Sequence, residues 1–147
     1  MRRGCVLTIV ILSVISLILS VLFYVFVWPE TKKMGTSGFA YVIEDALEQY
    51  RSDQNSYPPG TANAEVVDAL YGKNPRSKKY LQSMRSIVRD GEFTDFWRNP
   101  MKIEFPPEEG AKAKVISAGP NGIFGDAYDI TSQAAKDKLD KSGGATK

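Results

Sequence analysis

Residues 117–130 read SAGPNGIFGDAYDI, in which Ser117, Asn121, Asp126 and Asp129 alternate with Gly119, Gly122 and Gly125. Two carboxylates, an amide and a hydroxyl make an oxygen-rich donor set suited to a hard cation, and glycines let the backbone fold tightly enough to aim its own carbonyls inward. The same composition suits a turn-rich loop in which Asn and Asp bond their own backbone, and the spacing is not that of the twelve-residue helix-loop-helix cation site. Both readings stand on the residues alone.

Other chemistry is thin. The chain has no histidine, which removes His-based triads and histidine zinc sites. Its single cysteine, Cys5, lies at the edge of an apolar run, so the rest of the chain has no disulfide. Glu108 and Glu109 sit between Pro107 and Gly110, the setting of an exposed hairpin loop more than of a catalytic carboxylate pair. No nucleophile has a base in view, and an enzyme is not expected. The 19 basic residues, Arg2 and Arg3 included, stand against 17 acidic ones, so the chain beyond the N-terminus is formally neutral. RSKKY at 76–80 and KAK at 112–114 are too short for a basic stripe, and no nucleic-acid partner is expected.

The elements that must position the loop begin with the membrane. From Cys5 to Trp28 no charge interrupts 24 residues. As a helix these span roughly 36 Å, enough to cross a hydrocarbon core of about 30 Å with some tilt. The run is too long for the apolar region of a cleaved secretory signal. Arg2 and Arg3 flank one end, and Phe23, Tyr24, Phe26 and Trp28 gather at the other, which predicts a single span with a cytoplasmic N-terminus. Residues 1–28 are therefore read as basic leader and transmembrane helix, and 29–37, PETKKMGTS, as a hinge linker weakened by Pro29 and Gly35.

Residues 38–130 are read as the globular head. Phe39, Val42, Ile43, Ala46, Leu47 and Tyr50 repeat with helical spacing, with Glu44, Asp45, Glu48 and Arg51 on the opposite side. Ser37 is the expected N-cap, and Asn55 followed by Tyr57-Pro58-Pro59-Gly60 the stop. A short helix is predicted over NAEVVDALYG, capped by Asn63, with Val66, Val67 and Leu70 inward; KKYLQSM at 78–84 adds a turn or two. Met101, Ile103 and Phe105 alternate with Lys102 and Glu104 as in a half-buried strand, and KAKVIS returns as its partner. Trp97 is read as a core plug beneath the loop. Residues 131–147 have few apolar anchors and are read as a polar tail, at best a short surface helix and partly disordered, with the disorder in the final SGGATK. The fold class is α+β: a transmembrane helix, then an amphipathic helix packed on a small antiparallel sheet.

Taken in order, ALEQYRSDQNSYPP, DFWRNP and SAGPNGIFGDAYDI behind a long apolar helix resemble the major pseudopilins of bacterial type II secretion, the general secretion pathway protein G family of the type IV pilin-like group. Tyr50, Asn55, Tyr57, Pro58, Asp95, Trp97, Asn99, Pro100, Ser117, Gly119, Asn121, Gly122, Asp126, Asp129 and Ile130 carry the likeness over residues 38–130. It implies a pilin-like head and calcium at Ser117, Asn121, Asp126 and Asp129. It also implies processing by prepilin peptidase between Gly4 and Cys5. The chain departs from the family pattern at Cys5 (usually phenylalanine), Ile9 (glutamate), Phe96 (proline), Arg98 (glycine) and Asn121 (aspartate). The expected function is a structural subunit of a secretion filament in the bacterial inner membrane, its head periplasmic, partnered by itself through the N-terminal helix and by other secretion subunits. The alternative is a monomeric membrane-tethered binding module that keeps the head but does not polymerise.

Overall fold

A computed structural model describes residues 2–60, 62–82, 85–108 and 110–143. The chain divides into two compact units, Met1–Lys32 and Lys33–Lys147. In the first, helix α1 (Arg2–Leu22) runs into a π-helical turn at Phe23–Val27, and helix α2 (Trp28–Gln54) begins there and carries most of its length in the second. Pro29 has no N–H to give the carbonyl four residues back and crowds it. The widened turn, with the Trp28 N–H donating to the Phe23 carbonyl, sits where that crowding falls. Ile9, Leu12, Leu17, Leu19 and Phe26 are exposed, as suits side chains selected for lipid.

Residues 29–37, read as a hinge, are helical, and the boundary between the units falls inside this segment. Gly35 makes room in the second unit: a Cβ there would collide with the Phe96 ring, which stacks on Phe39 at 4.9 Å and 3°. Phe96, where the family pattern has proline, thus has a seat built from a helical glycine and a helical aromatic. Ser37 is not an N-cap but lies within α2, fully buried.

The buried face of α2 is Thr36, Ala40, Ile43, Leu47 and Tyr50, with Glu44 beside it. The expected stripe is rotated: Val42 is 37% exposed, and Glu44, assigned to solvent, is 8% exposed. The helix ends as expected, with Asn55 in the left-handed region (φ 59°) just beyond Gln54. Helix α3 (Asn63–Leu70) buries Val66, Val67 and Leu70. Its N-cap is Ala62, whose carbonyl accepts from Glu65 and Val66 N–H. Asn63 is used otherwise: its amide accepts from Phe93 N–H and donates to the Phe93 and Met101 carbonyls, a bracket between α3 and the strands. Residues 78–82 form no helix, and 83–84 lie outside the described residues.

The antiparallel sheet is two separate hairpins. Strands β1 (Val88–Arg89) and β2 (Glu92–Phe93) meet through a two-residue turn, Asp90 (φ 52°) and Gly91 (φ 85°), both left-handed as a tight hairpin requires. Strands β3 (Lys102–Glu104) and β4 (Lys114–Ile116) pair as the alternation predicts, Ile103 opposite Val115 and both buried. Single bridges, Thr94 to Pro100 and Ser117 to Ile130, extend the pairing. Phe93, not Trp97, is the fully buried ring; Trp97 is half-buried.

The polar tail is the larger correction. Helix α4 (Gln133–Gly143) forms there, and polar side chains hold its start to α2. The Ser37 hydroxyl donates to the Thr131 carbonyl (2.7 Å) and accepts from the Ala135 N–H (2.9 Å). Glu44 accepts from the Ser132 hydroxyl (2.6 Å) and Lys136 Nζ (2.8 Å) with one oxygen and from the Val115 N–H (3.1 Å) with the other. Hydrogen bonds to an ionised acceptor are stronger than neutral ones, which is how an apolar-poor segment docks. Residues 144–147, part of the expected disorder, lie outside the described residues.

Candidate functional site: the loop 117–130

The loop leaves β4 and closes on itself. Ser117 and Ile130 exchange both backbone hydrogen bonds at 2.9 Å, so its two ends are adjacent. A 3-10 turn at Gly119–Asn121 follows the first end, and Gly122 (φ 71°) and Gly125 (φ 92°) supply left-handed backbone. Gly119 (φ 63°) is the most constrained, since a Cβ there would collide with the Tyr128 carbonyl across the loop.

The expected donors do not all face one way. Asn121 Nδ2 donates to Asp126 Oδ2 (2.6 Å), and its Oδ1 accepts from the Ile123 N–H (3.2 Å). Asp126 Oδ1 accepts from the Tyr128 N–H (2.8 Å). The Asp126 carbonyl accepts from the Asp129 N–H (3.3 Å), and Asp129 Oδ2 accepts from the Gly125 N–H (2.8 Å). Asn121, Asp126 and Asp129 are thus linked around the loop. Ser117 is engaged elsewhere: its fully buried hydroxyl donates to Asp95 Oδ2 (2.6 Å) and accepts from the Gly119 N–H (3.0 Å).

Asp129 Oδ1 is buried and has no hydrogen-bond partner among the described residues. A buried carboxylate oxygen left in this way lacks a donor or a cation. Two carboxylates, an amide and the carbonyls of a glycine-rich turn match what calcium takes, although no three His, Cys, Asp or Glu side chains converge among the described residues. The donor set fits calcium through Asn121, Asp126 and Asp129. The Asx turns at Asn121 and Asp126 are equally those of the turn-rich reading.

Two residues beside the loop, Asp95 and Asn99, carried the family likeness but had no role read from the sequence. Asp95, 5% exposed, accepts from the Trp97 and Asn99 N–H groups with Oδ1 (2.8 and 2.9 Å) while Oδ2 takes the Ser117 hydroxyl. Asn99 Nδ2 donates to the Gly119 carbonyl (2.7 Å). Only their membership of DFWRNP drew attention to them. Elsewhere, Tyr57 ties the β3–β4 connection to α2, donating to Glu48 Oε1 (2.5 Å) and accepting from the Ala113 N–H (2.9 Å). Burial, aided by the neighbouring Glu48 carboxylate, pushes the Tyr57 phenol above its ordinary value of 10.0. Glu108 is exposed, and Glu109 lies outside the described residues, as does the side chain of Cys5; the backbone of Gly4 and Cys5 belongs to α1.

Compared with known proteins, residues 32–137 match the family described as type II secretion system (T2SS), protein G. A similar solved structure is the major pseudopilin from the type 2 secretion system of enterohaemorrhagic Escherichia coli, 23% identical, covering 73% of this chain and 87% of that one with a TM-score of 0.48. Comparison with curated protein sequences finds no match.

Proposed function

Since the chain belongs to the type II secretion system protein G family, we propose that it is a pseudopilin subunit, anchored in the inner membrane by α1 with its head in the periplasm. The observation that carries this is an uncharged apolar helix, exposed from Ile9 to Trp28, directly ahead of the matched residues. Its work is mechanical: copies pack along α1 with one another and with other secretion subunits, and the growing assembly pushes cargo outward without catalysis. A shallow groove on α1 includes Ser16 and Ser20, flanked by Leu12, Leu19 and Phe23. Small residues in such a groove let helix backbones approach closely in lipid.

The loop contributes rigidity. Asn121, Asp126 and Asp129 would hold calcium, with Asp129 Oδ1 finding there the partner it lacks. The bound cation would neutralise the paired carboxylates and draw loop carbonyls inward. Residues 117–130 then hold the segment leading into α4 against the sheet. Unfolding of the full-length protein in detergent is expected at a higher temperature in calcium than in chelator, and Asp129→Ala should erase the difference. Equal midpoints for the unmodified protein would refute the calcium reading.

A second reading, the tethered module that does not polymerise, is favoured by one observation: Ile9 stands where the family pattern places glutamate, and residues 5–28 carry no acid to pair with a neighbour's N-terminal amine. Single cysteines at 13, 16 and 20 in a Cys5→Ser background decide between them. Self-cross-linking in native membranes supports the filament, and its absence supports the tether. Intact mass adds whether Met1–Gly4 is removed by prepilin peptidase.

A further inference from the structure

We infer that Asp95 and Asn99, on the turn between β2 and β3, are positioning residues that hold the start of loop 117–130 in its folded path, so that calcium affinity depends on two side chains outside the donor set. This rests on the calcium reading above and adds what the loop's own residues lack, a fixed frame.

The frame converges on Gly119. Its N–H is held by the Ser117 hydroxyl, which is itself aimed by Asp95 Oδ2. Its carbonyl accepts from Asn99 Nδ2. Its α-carbon packs so closely on the Tyr128 carbonyl that no side chain fits. Asp95 in turn fixes Asn99, accepting its N–H with Oδ1 and donating its own N–H to the Asn99 carbonyl (3.0 Å). One buried carboxylate therefore sets both the hydroxyl and the amide that grip the glycine. Asn121 follows that glycine by two residues, and Tyr128, packed on it, precedes Asp129. Fixing Gly119 thus sets the approach of the donors on both arms of the loop. Without that grip the first arm of the loop would keep only the Ser117–Ile130 closure and its own turns, and more of its order would have to come from the cation, which weakens affinity.

The chemistry of the two positions is specific. Asp95 faces three donors and offers none from its side chain, so an amide of the same shape would turn an N–H toward one of them. Asn99 supplies the donor that a carbonyl needs, which alanine cannot.

The test uses the full-length protein in detergent, freed of metal by chelation and titrated with calcium in a calorimeter. Asp95→Asn and Asn99→Ala are compared with Asn63→Ala, which removes a bracket between Phe93 and Met101 that does not touch the loop. Expected are Kd values raised about 10–100-fold by Asp95→Asn and Asn99→Ala, the range for residues that orient metal ligands. Asn63→Ala should lower the unfolding temperature in chelator and leave Kd unchanged, which separates positioning from plain stability. If Asp95→Asn does not fold, Asn99→Ala decides, since Asn99 is only half-buried. Binding by Asn99→Ala as tight as that of the unmodified protein overturns the inference while leaving the calcium reading in place. No binding by the unmodified protein overturns both.

Discussion

Replacing Glu44 by alanine removes the acceptor of three hydrogen bonds at once, from the Val115 N–H, the Ser132 hydroxyl and Lys136 Nζ. A hydrogen bond to a charged group contributes about 1.5–3 kcal/mol, and an orphaned buried donor costs about 1–3 kcal/mol. Val115 is fully buried, so its N–H would be left without water. The Lys136 contribution is smaller, because that side chain is 41% exposed and its charge is screened. Because the three share one carboxylate they do not add, and the expected loss is about 3 kcal/mol. For a head of this size that is a fall of roughly 10–15 °C in midpoint. Glu44→Gln keeps the shape and the Val115 acceptor but turns an amide N–H toward the Lys136 ammonium, for a loss of about 1–1.5 kcal/mol. Lys136→Met should lose less than about 1 kcal/mol. The assay is urea unfolding of the full-length protein in detergent, with amide exchange at Val115 as the local readout. Glu44→Ala losing no more than Lys136→Met would refute the reasoning, because the buried N–H and hydroxyl partners would then contribute nothing.

Arg98 occupies a left-handed backbone (φ 72°) where the family pattern has glycine. Arg98→Gly should stabilise the head by about 0.5–1 kcal/mol, the left-handed penalty relieved less the added freedom of the unfolded chain, read as a raised urea midpoint. Gly119→Ala should destabilise by more than about 2 kcal/mol, from the same left-handed penalty (φ 63°) and collision with the Tyr128 carbonyl, read by thermal unfolding. Tyr57 and Tyr50 both have phenols raised above 10.0 by burial. The folded state therefore holds these protons more tightly, so their contribution is complete below pH 10 and is lost as pH rises through the higher folded values. Stability measured across that alkaline window should fall, and Tyr57→Phe should fall less steeply despite starting lower.

What was legible in the sequence is what repeats locally. The alternation of Met101 to Phe105 gave the β3–β4 hairpin, and Asn55 marked the end of α2 because a left-handed residue there needs a tolerant side chain. The ordered motifs pointed to a family that the match over residues 32–137 bears out. Illegible were the residues whose partners lie far along the chain. Ser37 and Asn63 read as caps because their side chains suit caps, yet both spend their hydrogen bonds on distant backbone. Glu44 read as solvent-facing because charge usually is, and no periodicity signals a hydroxyl just before another helix and an ammonium on it. Helix α4 was legible only as a short surface helix, and its docking was missed for the same reason, since its anchorage is polar. Gly35 read as a flexible break, whereas its missing side chain is the space that Phe96 fills.

The latch between α2 and α4 also governs the order in which the head can be completed. Its hydrogen bonds join residues separated by 88 to 98 positions, from Glu44–Ser132 to Ser37–Ala135. On the ribosome α2 emerges directly behind the apolar helix, and its polar partners follow 88 to 98 residues later. Until residue 136 is free, Glu44 has neither its hydroxyl nor its ammonium, and α2 has one wet, charged side where the finished head has a sealed one. Contacts of such long range are slow to form because the intervening chain must be ordered first. A chain cut short before α4 therefore keeps every residue of the apolar core but lacks the seal.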